Sequence, residues 1–417
     1  LLAALLGLGL GACFTGAETV GAICFDDSQC GVGQACRTGV CGLCRDGEVQ
    51  PGELCFAPSA EELVFGEVTD LLGFDYNRDG SEELFAVVNN DCGVMDGGMR
   101  CWDLYFVLPD ADEPGNFEAI DLDESTSPGS VPKATLANFD GDDASDLVFA
   151  VVPLDPTIDP SQLAVVRNFP ENVTPESIDV AIHARSLVAG DLDGNGLDDL
   201  VLGAEEAQTL VIVPSTGSSF GTQRVLVSDF GPRLADPTDM DDDGDLDLLI
   251  GSGIVGTIGV DLNDGNANFT PQPRFEFGEG YGVTSLVTAD FDGDAVPDIA
   301  GLAIAPDLAA PSRLVVLRGL GNGRLELLAE LPGGELPLEL LAEDINGDGL
   351  VDLLVADLLE DKLPVFLNRG GSFPDQLGVD VAAGPVSLLR GDFDYDSTID
   401  LVVGNANGVI SVVRSEN

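Results

Sequence analysis

A short acidic loop recurs seven times along this 417-residue chain: an Asp or Asn, then carboxylates or amides two, four and eight residues on, then at once Leu or Ile. The copies begin at Asp75, Asn138, Asp191, Asp239, Asp290, Asp344 and Asp392, 48 to 63 residues apart. A repeat of about 50 residues means that one supersecondary unit has been copied and that the copies stack. The acidic spacing inside each copy bears on chemistry, so fold and site are read from one feature.

The third copy shows the plan. Residues 186–190 alternate like a strand, 191–199 form the acidic loop, and 200–204, 209–214 and 223–228 are further short runs rich in Val, Leu and Ile. Such runs bounded by Gly, Pro, Asn and Asp are strand signals, and no long stretch has a helical period. Four antiparallel strands per unit is the composition of a propeller blade. The last copy supplies strands at 387–391, 401–404 and 409–414 and ends one short, whereas 62–66 has no blade of its own. Pairing the two would close the ring and leave no open sheet edge. The expected fold is all-β: a closed seven-bladed propeller of four-stranded antiparallel blades over 59–417.

Within a loop, oxygen side chains at positions 1, 3 and 5 of a tight turn converge on one point. A carbonyl at position 7 and a carboxylate at position 9 complete a shell that suits Ca²⁺, which takes six to eight oxygens at about 2.3–2.6 Å. The candidate ligands are Asp75, Asn77, Asp79 and Glu83; Asn138, Asp140, Asp142 and Asp146; Asp191, Asp193, Asn195 and Asp199; Asp239, Asp241, Asp243 and Asp247; Asp290, Asp292, Asp294 and Asp298; Asp344, Asn346, Asp348 and Asp352; and Asp392, Asp394, Asp396 and Asp400. No His or Cys lies in these loops, which disfavours zinc and copper. Gly80, Gly196, Gly244 and Gly349 fit the bend at position 6, whereas Asp143, Ala295 and Ser397 must strain there or turn otherwise. Glu83 is longer than Asp and makes the first site weaker. Plain turns also favour Asp, Asn and Gly, but a carboxylate at position 9 in every copy argues for an ion: up to seven structural Ca²⁺.

These loops resemble the FG-GAP and VCBS repeats of integrin α-subunit heads and many bacterial surface proteins. The resemblance implies that the loop joins the first two strands of a blade, on the ring face opposite the usual ligand face, and that calcium is structural.

Acids outnumber bases 74 to 17, for a net charge of −57, so the chain's own field repels nucleic acid and anionic membranes. With 44% apolar residues it can still pack a core. Residues 1–12 read as part of a secretory signal. The run Leu10-Gly11-Ala12-Cys13 resembles a bacterial lipobox, which would make Cys13 the lipidated residue and 14–23 a tether. Removing Cys13 leaves eight of nine cysteines. Cys24, Cys30, Cys36, Cys41, Cys44 and Cys55 would staple a small module at 24–57 by disulfides, in a pairing the sequence does not choose. Cys92 and Cys101 would bridge an insert holding Met95, Met99 and Trp102, a candidate contact surface.

Other motifs carry less. Arg390-Gly391-Asp392 spells an adhesive tripeptide, but Asp392 opens the seventh acidic loop. The glycan acceptor patterns at Asn172 and Asn268 read as chance matches, and His183, the only histidine, as a blade residue. No nucleophile motif appears. The expectation is a monomeric, calcium-stabilised binding or adhesion module for a protein or glycan ligand. It would reach the membrane only through a lipid anchor, at the outer membrane or surface of a Gram-negative bacterium. The alternatives are a propeller lyase or glycosidase, which would need two non-loop carboxylates in a central cleft, and a structural subunit.

Overall fold

The computed structural model describes residues 35–37, 40–42 and 60–63 and the greater part of 66–413. Residues 75–82, 92–99, 110–116, 125–132, 152–161, 169–175 and 394–398 are the longer segments outside that description. The expectations for Cys13, Cys24, Cys30, Cys44, Cys55, Cys92, His183 and Asn172 therefore lie outside the described residues. The strands Ala35–Arg37 and Val40–Gly42 pair antiparallel with Cys36 opposite Cys41. Cys101 falls in the strand Arg100–Pro109, opposite Asn90.

The architecture is an all-β propeller. Its first sheet runs Glu67–Phe74, Glu83–Asp91, Arg100–Pro109 and Phe117–Glu124, each strand antiparallel to the one before. The third repeats this order with Ser186–Gly190, Asp199–Ala204, Thr209–Val213 and Arg224–Val227, within a residue or two of the boundaries expected from sequence. Among the described residues six antiparallel sheets of the ring have four strands, and here the expectation of seven four-stranded blades is corrected. The remaining sheet, Pro232–Thr238, Asp247–Ser252 and Thr257–Asn263, carries two outer strands, Phe269–Pro271 and Phe275–Glu276, making five. Pro271 ends the first of them and Pro273 lies in the break; proline has no N–H to offer a ladder and is confined to edges and interruptions.

Closure follows the leftover-strand expectation. Ala60–Leu63 pairs with Val409–Val413, Ala60 opposite Val412 and Leu63 opposite Val409, and so completes the last sheet. The apolar cluster of Val68, Leu71, Leu84, Val402 and Ile410 then joins first sheet to last. Similar clusters lie between the other neighbours, such as Leu163, Val165, Leu200 and Leu202. The second strands read as unbroken apolar runs because both faces are covered: every residue of Asp199–Ala204, Asp247–Ser252 and Asp352–Asp357 is buried.

The first strand of each sheet lies beside the next round a central axis. In five of them the register slips near the start, at Val68/Asp70, Pro232/Leu234, Val283/Ser285, Pro337/Glu339 and Pro385/Ser387. Bulges of this kind re-aim side chains. Lys133 Nζ thus meets Asp70 Oδ1 at 2.9 Å and Glu339 Oε1 at 3.5 Å, drawing together three sheets at the axis.

Candidate metal centre

Each acidic loop joins the first and second strands of its sheet, as the resemblance implied; Asp191–Asp199 runs from Gly190 into Asp199–Ala204. The turn is built by its own side chains. Asp191 accepts from the N–H of Asn195 and Gly196 at 3.0 and 2.8 Å, and Asn195 Oδ1 from Leu197 N–H at 2.8 Å. Asp239 accepts from Gly244 N–H at 3.0 Å, and Asp243 from Asp245 N–H at 3.0 Å. Gly196, Gly244 and Gly349 at position 6 have φ of 83°, 95° and 85°, and Ala295 is forced to 64° at the same place. Position 4 also needs a left-handed residue: Gly194 at 71°, Gly293 at 83°, and Asp242 at 59°. That second requirement was missed from sequence.

Position 9 has a structural role besides the one expected. Its carboxylate is buried and ties the loop to backbone on both sides. Asp247 Oδ2 accepts from Met240 N–H at 2.9 Å and Oδ1 from Asn263 N–H at 2.8 Å. Asp146 does the same with Phe139 and Asn168, Asp199 with Leu192 and Ser215, and Asp298 with Phe291 and Gly319. Asp352 Oδ1 accepts from Asn368 N–H at 2.7 Å. An acid at position 9 is therefore required by the fold itself, and its recurrence is not by itself an argument for an ion. Burial, only partly offset by these N–H groups, pushes Asp199 and Asp247 up to about 6 and Asp352 to about 7.

Two further recurring groups carried no expectation. Position 2 is an apolar anchor: Phe139, Leu192, Met240, Phe291 and Phe393 are buried. A residue at the end of the third strand, or one or two positions past it, then reaches back to that anchor in the preceding sheet. Ser215 Oγ donates to Phe139 O at 2.6 Å, Asn263 Nδ2 to Leu192 O at 2.9 Å and Asn368 Nδ2 to Phe291 O at 2.8 Å. A Ser or Asn sixteen residues beyond position 9 was the available signal.

The structure gathers the expected ligands unequally. Carboxylate oxygens of Asp191, Asp193 and Asp199 come within 4.8 Å of one another, as do those of Asp239, Asp241 and Asp247 and those of Asp290, Asp292 and Asp294. Asp193 Oδ1, Asp239 Oδ1 and Asp241 Oδ1 are buried oxygens with no hydrogen-bond donor. Buried acceptors left without donors are costly, and a hard cation supplies what they lack, so these donor sets fit Ca²⁺. In the loop at Asn138, Asn138 Nδ2 donates to Asp142 O, and Arg167 stands 3.6 Å from Asp140. In that at Asp344, Arg369 meets Asp348 at 2.9 Å. Residues 75–82, holding Asp75, Asn77 and Asp79, and residues 394–398, holding Asp394 and Asp396, lie outside the described residues; Glu83 and Asp400 are buried at the ends of those loops. Arg390 of the adhesive tripeptide pairs with Glu343 at 2.7 Å.

These features define a propeller whose sheets are pinned by acidic turns. Residues 239–301 and 344–403 match the FG-GAP-like repeat family, and 183–214 match the FG-GAP repeat. The chain therefore carries FG-GAP repeats on a β-propeller fold. No curated protein matches its sequence. Among solved structures, BBS1N in complex with ARL6DN is similar at 11% identity and a TM-score of 0.58, over 87% of this chain and 97% of that one. The periplasmic gluconolactonase PpgL of Pseudomonas aeruginosa is similar at 15% identity and a TM-score of 0.56, over 81% and 88%. A Lactobacillus plantarum protein is similar at 12% identity and a TM-score of 0.57, over 85% and 93%. At these identities the likeness is one of fold. Among the described residues no helix is long and apolar enough to cross a membrane.

Proposed function

We propose that this chain is an extracellular binding module whose propeller is stabilised by Ca²⁺ in its acidic loops, carried on a disulfide-stapled stalk from a lipidated Cys13. The observation that carries the calcium reading is the set of donorless buried oxygens on Asp193, Asp239 and Asp241. Bound there, Ca²⁺ supplies positive charge to carboxylates that otherwise repel one another. Asp191, Asp193 and Asp199 would hold one ion and Asp239, Asp241 and Asp247 another, each loop pre-shaped by its own N–H bonds. FG-GAP repeats on a strongly acidic chain support an extracellular role with a protein or glycan partner, and the fold leaves the partner's identity open. The test is a protein and glycan array probed in calcium and again in chelator, alongside thermal melts. An unchanged melting temperature in chelator would remove calcium from the account, and an empty array would remove the binding role.

A second reading, chemistry on a polysaccharide, rests on one observation. A cavity of about 250 Å³ at the axis is lined by Lys133, Ser186, Asp236, Ser285, Leu286 and Glu339, and so holds carboxylates that belong to no acidic loop. Its small volume admits a single sugar-sized group and not a chain threaded through the ring. Turnover of polysaccharide or sugar lactone that disappears in Glu339→Gln would support this reading, and inactivity of the wild type would end it.

A further inference from the structure

The described loops differ in one respect that their own sequences do not show: whether an arginine from the end of the third strand reaches the acids. In the loop at Asn138, Arg167 Nη1 lies 3.6 Å from Asp140 Oδ2 and 3.9 Å from Asp146 Oδ2, held also by Gly217 O at 3.2 Å and by the Phe220 ring. In the loop at Asp290, the guanidinium of Arg318 contacts Asp292 Oδ2. In the loop at Asp344, Arg369 Nη1 bonds Asp348 Oδ2 at 2.9 Å, and its Nη2 reaches Asp375. The three arginines come from the same end of the third strand, though not from one position: Arg167 and Arg318 precede the residue whose N–H bonds the position-9 acid, and Arg369 follows it.

In the loops at Asp191 and Asp239 the corresponding strands end at Val213 and Asn263, followed by Pro214 and Asp264. Among the described residues no basic side chain pairs with an acid of either loop. The donorless oxygens of Asp193, Asp239 and Asp241 belong to these two loops. Where the arginine is present it meets the acid at position 3 or 5. Bare buried oxygens occur there too, on Asp292, where Arg318 stands against the oxygen, and on Asp352, whereas in the two loops that lack the arginine those at positions 1 and 3 have no basic side chain beside them.

We propose that Arg167, Arg318 and Arg369 serve as built-in cations that replace Ca²⁺ in their loops, so that among the described loops only those at Asp191 and Asp239 require the metal. This rests on the calcium reading above and sharpens it from up to seven sites of unequal quality to two kinds of site. A guanidinium is always charged and its planar fork matches a carboxylate. It neutralises one acid permanently and occupies the side from which an ion would be approached. The two metal-dependent loops belong to adjacent sheets, so chelation loosens one sector of the ring and leaves the arginine-pinned sector held.

The experiment is equilibrium dialysis of the full chain against calcium alone, counting ions bound per chain, with far-UV circular dichroism to confirm folding of each variant. Asp241→Asn and Asp193→Asn should each remove one bound ion, and Asp140→Asn and Asp348→Asn none. Arg318→Gln should add one ion by freeing Asp290, Asp292 and Asp294, and Arg318→Lys should add none. If Arg318→Gln does not fold, Arg369→Gln is read in its place, with the same gain of one ion expected. Loss of an ion in Asp348→Asn, together with no gain in the arginine variants, overturns the arginine assignment and leaves calcium in place. A wild type that binds no calcium removes the calcium reading, and the proposal with it.

Discussion

The side-chain amide of Asn263 donates to the backbone carbonyl of Leu192, 71 residues earlier, at 2.9 Å. The same nitrogen reaches Leu246 O at 2.9 Å, while the backbone N–H of Asn263 donates to Asp247. One residue therefore links the apolar anchor of one acidic loop to the position-9 acid of the next. Sheets in a ring meet mainly through apolar side chains, which set distance but not register; this amide sets both.

Replacing Asn263 by Ala takes the side-chain donor from Leu246 O and leaves Leu192 O with the Ala267 N–H alone. An unsatisfied buried group costs about 1–3 kcal/mol, so Asn263→Ala should lose about that much in urea unfolding. Asn266→Ala, which removes only the exposed bond from its Nδ2 to Asp264 O, should change stability by less than about 0.5 kcal/mol. Equal effects of the two would show that the tie between sheets is energetically idle.

Positions 3 and 9 of a loop should separate in their calcium dependence. Asp247→Asn removes an acceptor from a buried backbone N–H and should already cost about 1–3 kcal/mol in chelator, before any loss of calcium binding. Asp241→Asn should be close to neutral in chelator. At free calcium of about 100 times Kd it should forfeit about 2.7 kcal/mol, the stabilisation one occupied site provides. Melts of both variants in calcium and in chelator check this, and a calcium-dependent penalty confined to Asp247→Asn would reverse the assignment.

Ala295 holds a left-handed φ of 64° where Gly244 and Gly349 hold the same turn position. A non-glycine residue there carries about 1–2 kcal/mol of strain. Ala295→Gly relieves it, against a larger loss of backbone entropy on folding, and should stabilise by about 1 kcal/mol. Gly244→Ala should destabilise by a similar amount through φ alone, since no atom lies within 4 Å of the Cβ it would gain. Chemical denaturation curves that show no gain for Ala295→Gly would mean that the turn has relaxed.

The repeat, the strand order and the closing strand were all legible because they depend on local period and on the arithmetic of strands per copy. The acidic positions were legible too, but not their division of labour. Asp247 looks like Asp241 in sequence; only burial and two N–H partners show that it also staples the loop to the backbone. Arg318 and Asp292 meet because one strand end folds over the preceding loop, and no short-range pattern signals it. Nor did the periodicity show the slip at Pro337/Glu339, beside which Glu339 meets Lys133.

Asp236, on a first strand, is pushed up to about 6 by burial, against a hydrogen bond from Thr238 that pulls the other way. The ordinary value is 3.8, so between roughly pH 4 and 6 the folded chain holds a proton that the unfolded chain has released. Stability contributed by this group is therefore greatest below that window and falls as pH rises through it. The loss by pH 7 is on the order of 3 kcal/mol at most. In chelator, Asp236→Asn should flatten this part of the stability profile between pH 4 and 7 relative to the wild type. Parallel profiles would show that Asp236 is solvated and that its carboxylate is at no disadvantage in the ring.

Lys133 offers the last test, because its charge is shared by Asp70 and Glu339 from different sheets. Asp70 is nearly buried and also accepts from Ala134 N–H at 2.9 Å, so it has little freedom to turn away. Lys133→Met leaves two carboxylates facing each other without their cation. Breaking a buried pair costs about 3–5 kcal/mol; Lys133 itself is 37% exposed, so a loss of roughly 2 kcal/mol is expected. Glu339→Gln in the Lys133→Met background removes one of the two opposed charges and should restore about 1 kcal/mol, weakening as salt screens the pair. A double-mutant cycle that gives additive losses at low salt would mean that the axial triad is a coincidence of side chains and that nothing but the blade interfaces holds the ring at its centre.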